Sequence, residues 1–191
     1  KFIGKYPQVE GIQMTASEIP YPRTSGESPS FFPGGPEFAT ARVEISRSGI
    51  VEAVAGYKGF RLLRLGGSAF YGFVRDEYTT LPDVRNRPLH MWLDTEWSYT
   101  NPESAFSDKG IQAHVHSIVL SVFNSLESGS IQQIIYQAGT RILAEIPEIA
   151  RIDLEANNRT WDTITEKGEE LGVYTDARPP YGCLGLSLTR S

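Results

Sequence analysis

The sequence predicts an α+β protein in which one antiparallel sheet carries two helices on one of its faces. Three observations lead to this prediction: strand-like alternation before a central region, two apolar stripes with helical spacing inside it, and alternation again after it. A sheet covered on one face would bury each of these apolar stripes. The predicted order is strand, strand, helix, helix, strand, strand, in a four-stranded sheet.

The strands of the first half follow from period-two patterns. Residues 39–46 alternate apolar and polar side chains, as in a half-buried strand, and 48–49 predict a turn. Two strand-like pieces at 50–55 and 60–65 follow, and we expect the glycines between them to break the strand. A second long alternating strand spans 89–98.

Two consecutive helices are predicted next. Apolar residues recur at spacings of three and four over 111–126 and again over 131–146, and each set forms one stripe on a helix. Ser130 and Gln133 have the spacing of a capping box, and Pro147 would end the second helix.

Two strands close the predicted sheet, at 149–155 and 184–189, with a Pro/Gly-rich turn at 178–182 leading into the last one. A four-stranded sheet has two open edges, and we expect neighbouring domains or chains to pair with them.

The predicted domain begins after a linker. Residues 21–36 are rich in proline, glycine and serine, a composition that buries little apolar surface. We expect 37–191 to be the domain and 1–20 to be the tail of a preceding one. The first residue is Lys1 instead of methionine, which indicates a part of a longer protein or a domain trimmed of a disordered start.

Composition excludes several classes of function. The net charge of -5 argues against a general nucleic-acid binder, and no apolar run is long enough to span a membrane. The single cysteine, Cys183, rules out an internal disulfide or a cysteine-built zinc site, which suits a reducing compartment, and we expect a cytoplasmic protein. His114 and His116 are two apart on a predicted helix, so they point in different directions and we expect no metal between them.

The stretch 70–87 carries the clearest functional signal, because it combines the aromatic ring of Phe70 with the guanidinium of Arg87 on what reads as one non-repetitive loop. A ring stacks on planar ligands, and a guanidinium makes paired hydrogen bonds to a planar edge. Taken alone, Phe70 could equally be a core aromatic, and Arg87 could form a surface salt bridge.

This stretch resembles the signature of urate oxidases (uricases), and two further stretches support the resemblance. Residues 128–132 open the second helix as in that family, and 157–162 with 173–182 are similar to its bacillus-type branch. The resemblance runs from about residue 37 to 190 and covers the second of two tandem domains. It implies a tunnel fold (T-fold) of ββααββ order, the C-terminal part of the subunit, and assembly of such domains into barrels and a homotetramer.

The resemblance also implies a urate site. Phe70 would lie under the purine ring, Arg87 would hold one edge, and Gln132 with the backbone N–H of Ile131 would hold the opposite edge. The helix N-terminus that carries Ile131 and Gln132 favours an anion on physical grounds as well. Asn158 would face a pocket for dioxygen or water above the ring. Without the resemblance, Gln132 could be a solvated residue and Asn158 a turn residue.

Catalytic chemistry would be shared with another chain. The resemblance implies that a Lys and a Thr from the first domain of a neighbouring subunit deprotonate urate and handle oxygen. Many uricases have a His two residues after the Asn; here Thr160 occupies that position and is a candidate for the proton relay. The expected reaction converts urate, dioxygen and water to 5-hydroxyisourate and hydrogen peroxide without a cofactor.

Two alternatives stay open. Another tunnel-fold enzyme acting on a pterin or purine, such as a cyclohydrolase or an aldolase, would typically anchor its ligand with a Glu, and a cyclohydrolase often adds zinc ligands. Gln132 and the single cysteine disfavour both. The second alternative is a non-catalytic part that only completes an oligomer.

Overall fold

The secondary structure is known from a computed structural model, which describes residues 2–80, 82–107, 110–127, 130–167 and 170–190. Its elements in chain order are α1 (Phe2–Lys5), β1 (Gly11–Ser17), β2 (Phe38–Ser46), β3 (Gly49–Phe70), β4 (Val84–Tyr99), a 3-10 turn (Pro102–Phe106), α2 (Ile111–Ser125), α3 (Ile131–Glu145), β5 (Ile149–Thr160), β6 (Thr163–Lys167), β7 (Glu170–Tyr174) and β8 (Arg178–Thr189). Leu81, Ser128 and Gly129, which belong to the stretches of the resemblance, lie outside the described residues.

The main sheet is antiparallel throughout, in the order β1-β2-β3-β4-β5-β8, and β6 and β7 form a separate two-stranded sheet. The predicted strands at 39–46, 89–98, 149–155 and 184–189 appear as β2, β4, β5 and β8, and α2 and α3 lie between β4 and β5, which confirms the α+β class with two helices. The predicted count of four strands was too low, because β1 was not predicted and the pieces at 50–55 and 60–65 form a separate strand, β3.

Three local predictions were wrong. The strand β3 continues through Gly56 and Gly59, with a register shift between Tyr57 and Phe60, because β2 and β4 pair with it on both sides. Phe70 is the last residue of β3 and Arg87 lies within β4, so they do not share a loop. The predicted turn at 178–182 is the beginning of β8.

The core lies between one face of the sheet and the two helices. Both predicted apolar stripes are buried, and Ser130 caps α3 as predicted, since its hydroxyl accepts the N–H of Gln133 at 3.2 Å. Gly139 of α3 lies close to the sheet, because a Cβ there would lie 2.8 Å from Leu188 Cδ1. The largest fully buried side chains of this core include Trp97, Leu89, Met91, Leu93, Ile118, Ile134, Ile142, Ile149, Ile152 and Leu154.

The bulge in β3 supports a stability prediction. Gly59 has φ of 73°, and a Cβ there would lie 2.3 Å from the carbonyl oxygen of Pro36. Gly67 has nearly the same φ, 71°, but the space around it is open. The N–H groups of Gly59 and Gly67 each donate, at 2.8 Å, to a side-chain oxygen of β4. We expect Gly67→Ala to cost about 1 kcal/mol of unfolding free energy through backbone strain. Gly59→Ala should cost roughly 2 kcal/mol more, because the Pro36 backbone must move.

Urea denaturation of both variants beside the unaltered chain measures this difference. Equal losses in the two variants would contradict the close packing of β3 against the end of the predicted linker.

The segment before the predicted domain is tied to the sheet. The strand β1 pairs with β2 along its whole length, and Arg47 Nη2 donates to the carbonyl oxygens of Tyr6, Pro7 and Val9 at 3.1, 2.8 and 2.7 Å. The boundaries at 20 and 36 stay predictions. Within the described ranges, no helix is long and apolar enough to cross a membrane.

Candidate functional site

Phe70 and Arg87 meet at one end of the sheet. They lie on neighbouring strands, where Phe70 pairs with Val84 and Ser68 pairs with Arg87. The guanidinium carbon of Arg87 lies 5.2 Å from the centre of the Phe70 ring. The Phe70 ring also stacks on Phe73, with ring centres 4.6 Å apart and planes 25° apart. A planar ligand that stacks on Phe70 must therefore use the part of the ring that Phe73 leaves uncovered.

Arg87 is an incompletely satisfied cation. Its Nε is buried and has no hydrogen-bond partner among the described residues, and none of their carboxylates forms an ion pair with it. Burial lowers the pKa of the Arg87 guanidinium, which nevertheless stays charged at neutral pH. A desolvated charge without a counter-charge is costly, and an anionic ligand would offset that cost.

A cavity of about 350 Å³ brings Arg87, Asn158 and Thr160 together. The two β5 residues reach it because β4 and β5 are paired, with Met91 opposite Asn158. The hydroxyl of Thr160 donates to the carbonyl oxygen of Arg178 at 3.1 Å. Three of the six predicted site residues therefore line this cavity. The six predicted residues are Phe70, Arg87, Ile131, Gln132, Asn158 and Thr160.

The other predicted anion contact, the N-terminus of α3, lies outside the lining of that cavity. Ile131 is only 4% exposed and belongs to the core, whereas the side chain of Gln132 is exposed. The next residue, Gln133, lines a second cavity of about 590 Å³. Asn86 lines both cavities, so the two cavities adjoin the same residue.

The two helix histidines each lie close to a carboxylate. His114 Nε2 lies 3.3 Å from Glu145, and His116 Nε2 lies 3.1 Å from Glu37. The described part of the chain contains no group of three or more His, Cys, Asp or Glu residues that could hold a metal ion.

Sequence reasoning missed a cluster around Trp92. The guanidinium of Arg159 lies 3.6 Å from the centre of the Trp92 ring and 3.8 Å from that of Tyr181, while Arg61 lies 4.2 Å from Trp92. Trp92 Nε1 donates to His90 Nε2 at 3.2 Å. These contacts join four strands that are distant in sequence, and only the registers of β3, β4, β5 and β8 reveal them.

The charges of this cluster affect the pKa of His90. Burial, followed by the charges of Arg159 and then Arg61, lowers the pKa of His90 below its ordinary value of 6.5. We expect Arg159→Gln to raise the pKa of His90, and Arg61→Gln to raise it by a smaller amount, because one lowering charge is removed in each case.

A ¹H NMR titration of the histidine ring protons measures these values, and the His90→Gln spectrum assigns the signal among the three histidines. No upward movement in Arg159→Gln would show that Arg159 does not act on His90.

The fold and the site together define a class of protein. The antiparallel sheet with two helices on one face is a tunnel fold, and solved structures of that fold match almost the entire chain. A crystal structure of urate oxidase from Bacillus sp. TB-90 has a TM-score of 0.89, with 36% identity over 99% of this chain and 68% of that one. A uricase structure from Bacillus fastidious has a TM-score of 0.88 with 34% identity, and it covers 98% of this chain and 64% of that one.

The family follows from sequence comparison. The uricase family profile matches residues 53–184. The "Uric acid degradation bifunctional protein" of Bacillus sp. (strain TB-90) is 36% identical over 99% of this chain. The uricase of Halalkalicoccus jeotgali is 33% identical over 100% of this chain and 68% of its own length. The chain belongs to the uricase family, as its resemblance implied.

The chain spans only part of these relatives. It covers 41% of the Bacillus sp. (strain TB-90) bifunctional protein and 42% of "Uric acid degradation bifunctional protein PucL" of Bacillus subtilis. The prediction that this chain is a C-terminal part of a longer subunit is consistent with these figures.

Proposed function

We propose that this chain forms the substrate-binding wall of a urate oxidase whose catalytic wall comes from another part of the protein. The observation that best supports the proposal is the environment of Arg87. This desolvated guanidinium has no carboxylate partner among the described residues, and it lies beside an aromatic ring in a cavity large enough for a small planar molecule. Urate is a flat purine anion, and its shape and charge suit this environment.

Each site residue then has a definite role. Phe70 stacks under the purine, Arg87 donates a pair of hydrogen bonds to one edge, and Gln132 reads the opposite edge. The N–H of Ile131 has no acceptor within its own helix and donates to the same edge as Gln132. Asn158 orders dioxygen or water above the ring. Phe73 moves aside or shifts along Phe70 when urate binds, since it covers part of that ring.

The catalytic groups that activate urate lie elsewhere. In this proposal a Lys and a Thr from the first domain of a neighbouring subunit remove a proton from urate and handle oxygen. Urate then loses two electrons to dioxygen, which leaves as hydrogen peroxide, and water adds to the oxidised ring to give 5-hydroxyisourate. Urate itself is the electron source, so the proposed reaction requires no cofactor. Thr160, whose hydroxyl donates to the carbonyl oxygen of Arg178, is the candidate for the proton relay in this proposal.

Assembly completes the site. The edge strands of the main sheet are β1 and β8, and Met14 of β1 is 65% exposed. Unpaired sheet edges favour association, and in this proposal they join neighbouring tunnel domains into a barrel and a homotetramer. In this proposal the preceding domain ends with residues 1–20, a linker spans 21–36, and the second domain spans 37–191. We also propose that the assembled enzyme works in the cytoplasm.

A reconstitution experiment tests the proposed function. This chain is mixed with an N-terminal uricase domain, and urate loss is followed by ultraviolet absorbance together with peroxide formation. We expect turnover by the mixture and none by the chain alone, because the proposal assigns the catalytic Lys and Thr to the first domain of a neighbouring subunit. A mixture that leaves urate untouched and binds a pterin instead would contradict the proposal and favour the cyclohydrolase- or aldolase-like alternative. Turnover by the chain alone would contradict the shared site.

A further inference from the structure

A row of alternating guanidinium groups and aromatic rings crosses the sheet on the face that points away from the helices. Trp92 lies on that face because its neighbours Met91 and Leu93 are buried in the core. Arg61, Trp92, Arg159 and Tyr181 belong to β3, β4, β5 and β8, so the row follows the order of the strands. Arg159 is the member in contact with two rings.

Arg159 also lines the cavity that contains Arg87 and Asn158. Two arginines therefore belong to the lining of this cavity. The Nε atoms of both arginines are buried without a hydrogen-bond partner, and neither group forms an ion pair with a carboxylate of the described residues.

The two ring contacts determine which atoms of Arg159 remain available. Aromatic rings hold a guanidinium by its faces through cation–π attraction, whereas its N–H donors lie in the plane of the group. Stacking against Trp92 and Tyr181 therefore fixes the orientation of Arg159 without supplying an acceptor for those donors. An in-plane acceptor with negative charge would satisfy them.

Arg61 shows that stacking alone does not make an arginine part of the cavity. It lies 4.2 Å from the centre of the same Trp92 ring, but it is not among the cavity's lining residues. Both arginines stack on Trp92 and lie on the same face of the sheet, but only Arg159 lines the cavity. Arg61 is therefore a matched control for Arg159.

We infer that Arg159 is a second anion anchor of the candidate urate site and makes the site selective for anionic over neutral purines. This inference rests on the proposed function and adds a residue to it. With Arg87 alone, one positive charge would face the ligand. Two such charges attract the urate anion more strongly and leave the affinity for an uncharged purine of the same shape nearly unchanged.

Equilibrium dialysis under argon tests the inference, because urate cannot be oxidised without dioxygen. The assembled protein is dialysed against urate and, separately, against hypoxanthine, a flat purine that is uncharged at neutral pH. We expect Arg159→Gln to weaken urate binding by about tenfold or more, as loss of a charged hydrogen bond does, and to change hypoxanthine binding less than about twofold. Arg61→Gln should change either affinity by less than about twofold.

Arg159→Met is a second uncharged variant, because its unbranched side chain can still pack between the two rings if Arg159→Gln folds poorly. Unchanged urate affinity in either uncharged variant would overturn the inference. Equal losses of urate affinity in the Arg159 and Arg61 variants would overturn it as well, because both arginines would then affect binding only by stabilising the fold. An unaltered protein that binds no urate would instead contradict the proposed function itself, and the inference with it.

Discussion

Substitution of Arg87 by glutamine is expected to lower urate affinity on the order of 100-fold, because a desolvated guanidinium that pairs with an anion contributes several kcal/mol to binding. The fold should persist. Arg87 makes no ion pair within the described ranges, and its Nε is buried without a partner, so glutamine removes a partly buried charge that those residues leave unpaired. Equilibrium dialysis with urate under argon measures the affinity, and thermal unfolding measures the stability.

Arg85→Gln is the matched control for this experiment. Arg85 lies two residues earlier on the same strand and stacks on Tyr71 at 4.5 Å, but it lines the neighbouring cavity instead of the one that contains Arg87. We expect its urate affinity to stay within about threefold of the unaltered protein, as for an exposed charge. Comparable losses in the two variants would indicate a general effect of positive charge and not a contact of Arg87 with urate.

Substitution of Gln132 by glutamate should change stability and binding in opposite directions. A carboxylate in the first turn of α3 interacts favourably with the helix dipole, so we expect the unfolding free energy to be unchanged or to rise by about 0.3–1 kcal/mol. The same negative charge would repel urate and replace the amide's hydrogen-bond donors with acceptors. Urate affinity should therefore fall on the order of 100-fold, since like charges in a binding site cost several kcal/mol.

Gln137→Glu provides the comparison on the same helix. Gln137 is exposed like Gln132 but lies in the interior of α3. Its substitution should leave urate affinity unchanged, because the residue lies more than a turn away from the helix N-terminus. If Gln132→Glu binds urate as the unaltered protein does, the assignment of this helix end to the purine edge is wrong.

Local sequence patterns predicted the helices and the central strands well. The stripes of α2 and α3 and the alternation of β4 are visible because each element buries one face against a single core. The strand β1 was missed because six of its seven residues are exposed, so it has no period-two apolar signal. The strand β3 was predicted in pieces because glycine lowers strand propensity, whereas pairing on both sides holds it together.

The site was predicted less completely than the fold. Phe70, Arg87 and Asn158 were predicted from the resemblance. In the structure, Phe70 lies against Arg87. Asn158 and Arg87 line the same cavity. Arg159 was not among the predicted site residues. Its relation to Trp92 depends on strand register, which a single sequence does not reveal.

A crystal structure of the assembled protein with urate, grown without dioxygen, tests the central claim most directly. The account predicts electron density for a purine stacked on Phe70, with one edge within hydrogen-bond distance of Arg87 and the opposite edge at Gln132 and the N–H of Ile131. Urate density at another place, or at this place without contact to Arg87, would contradict the account.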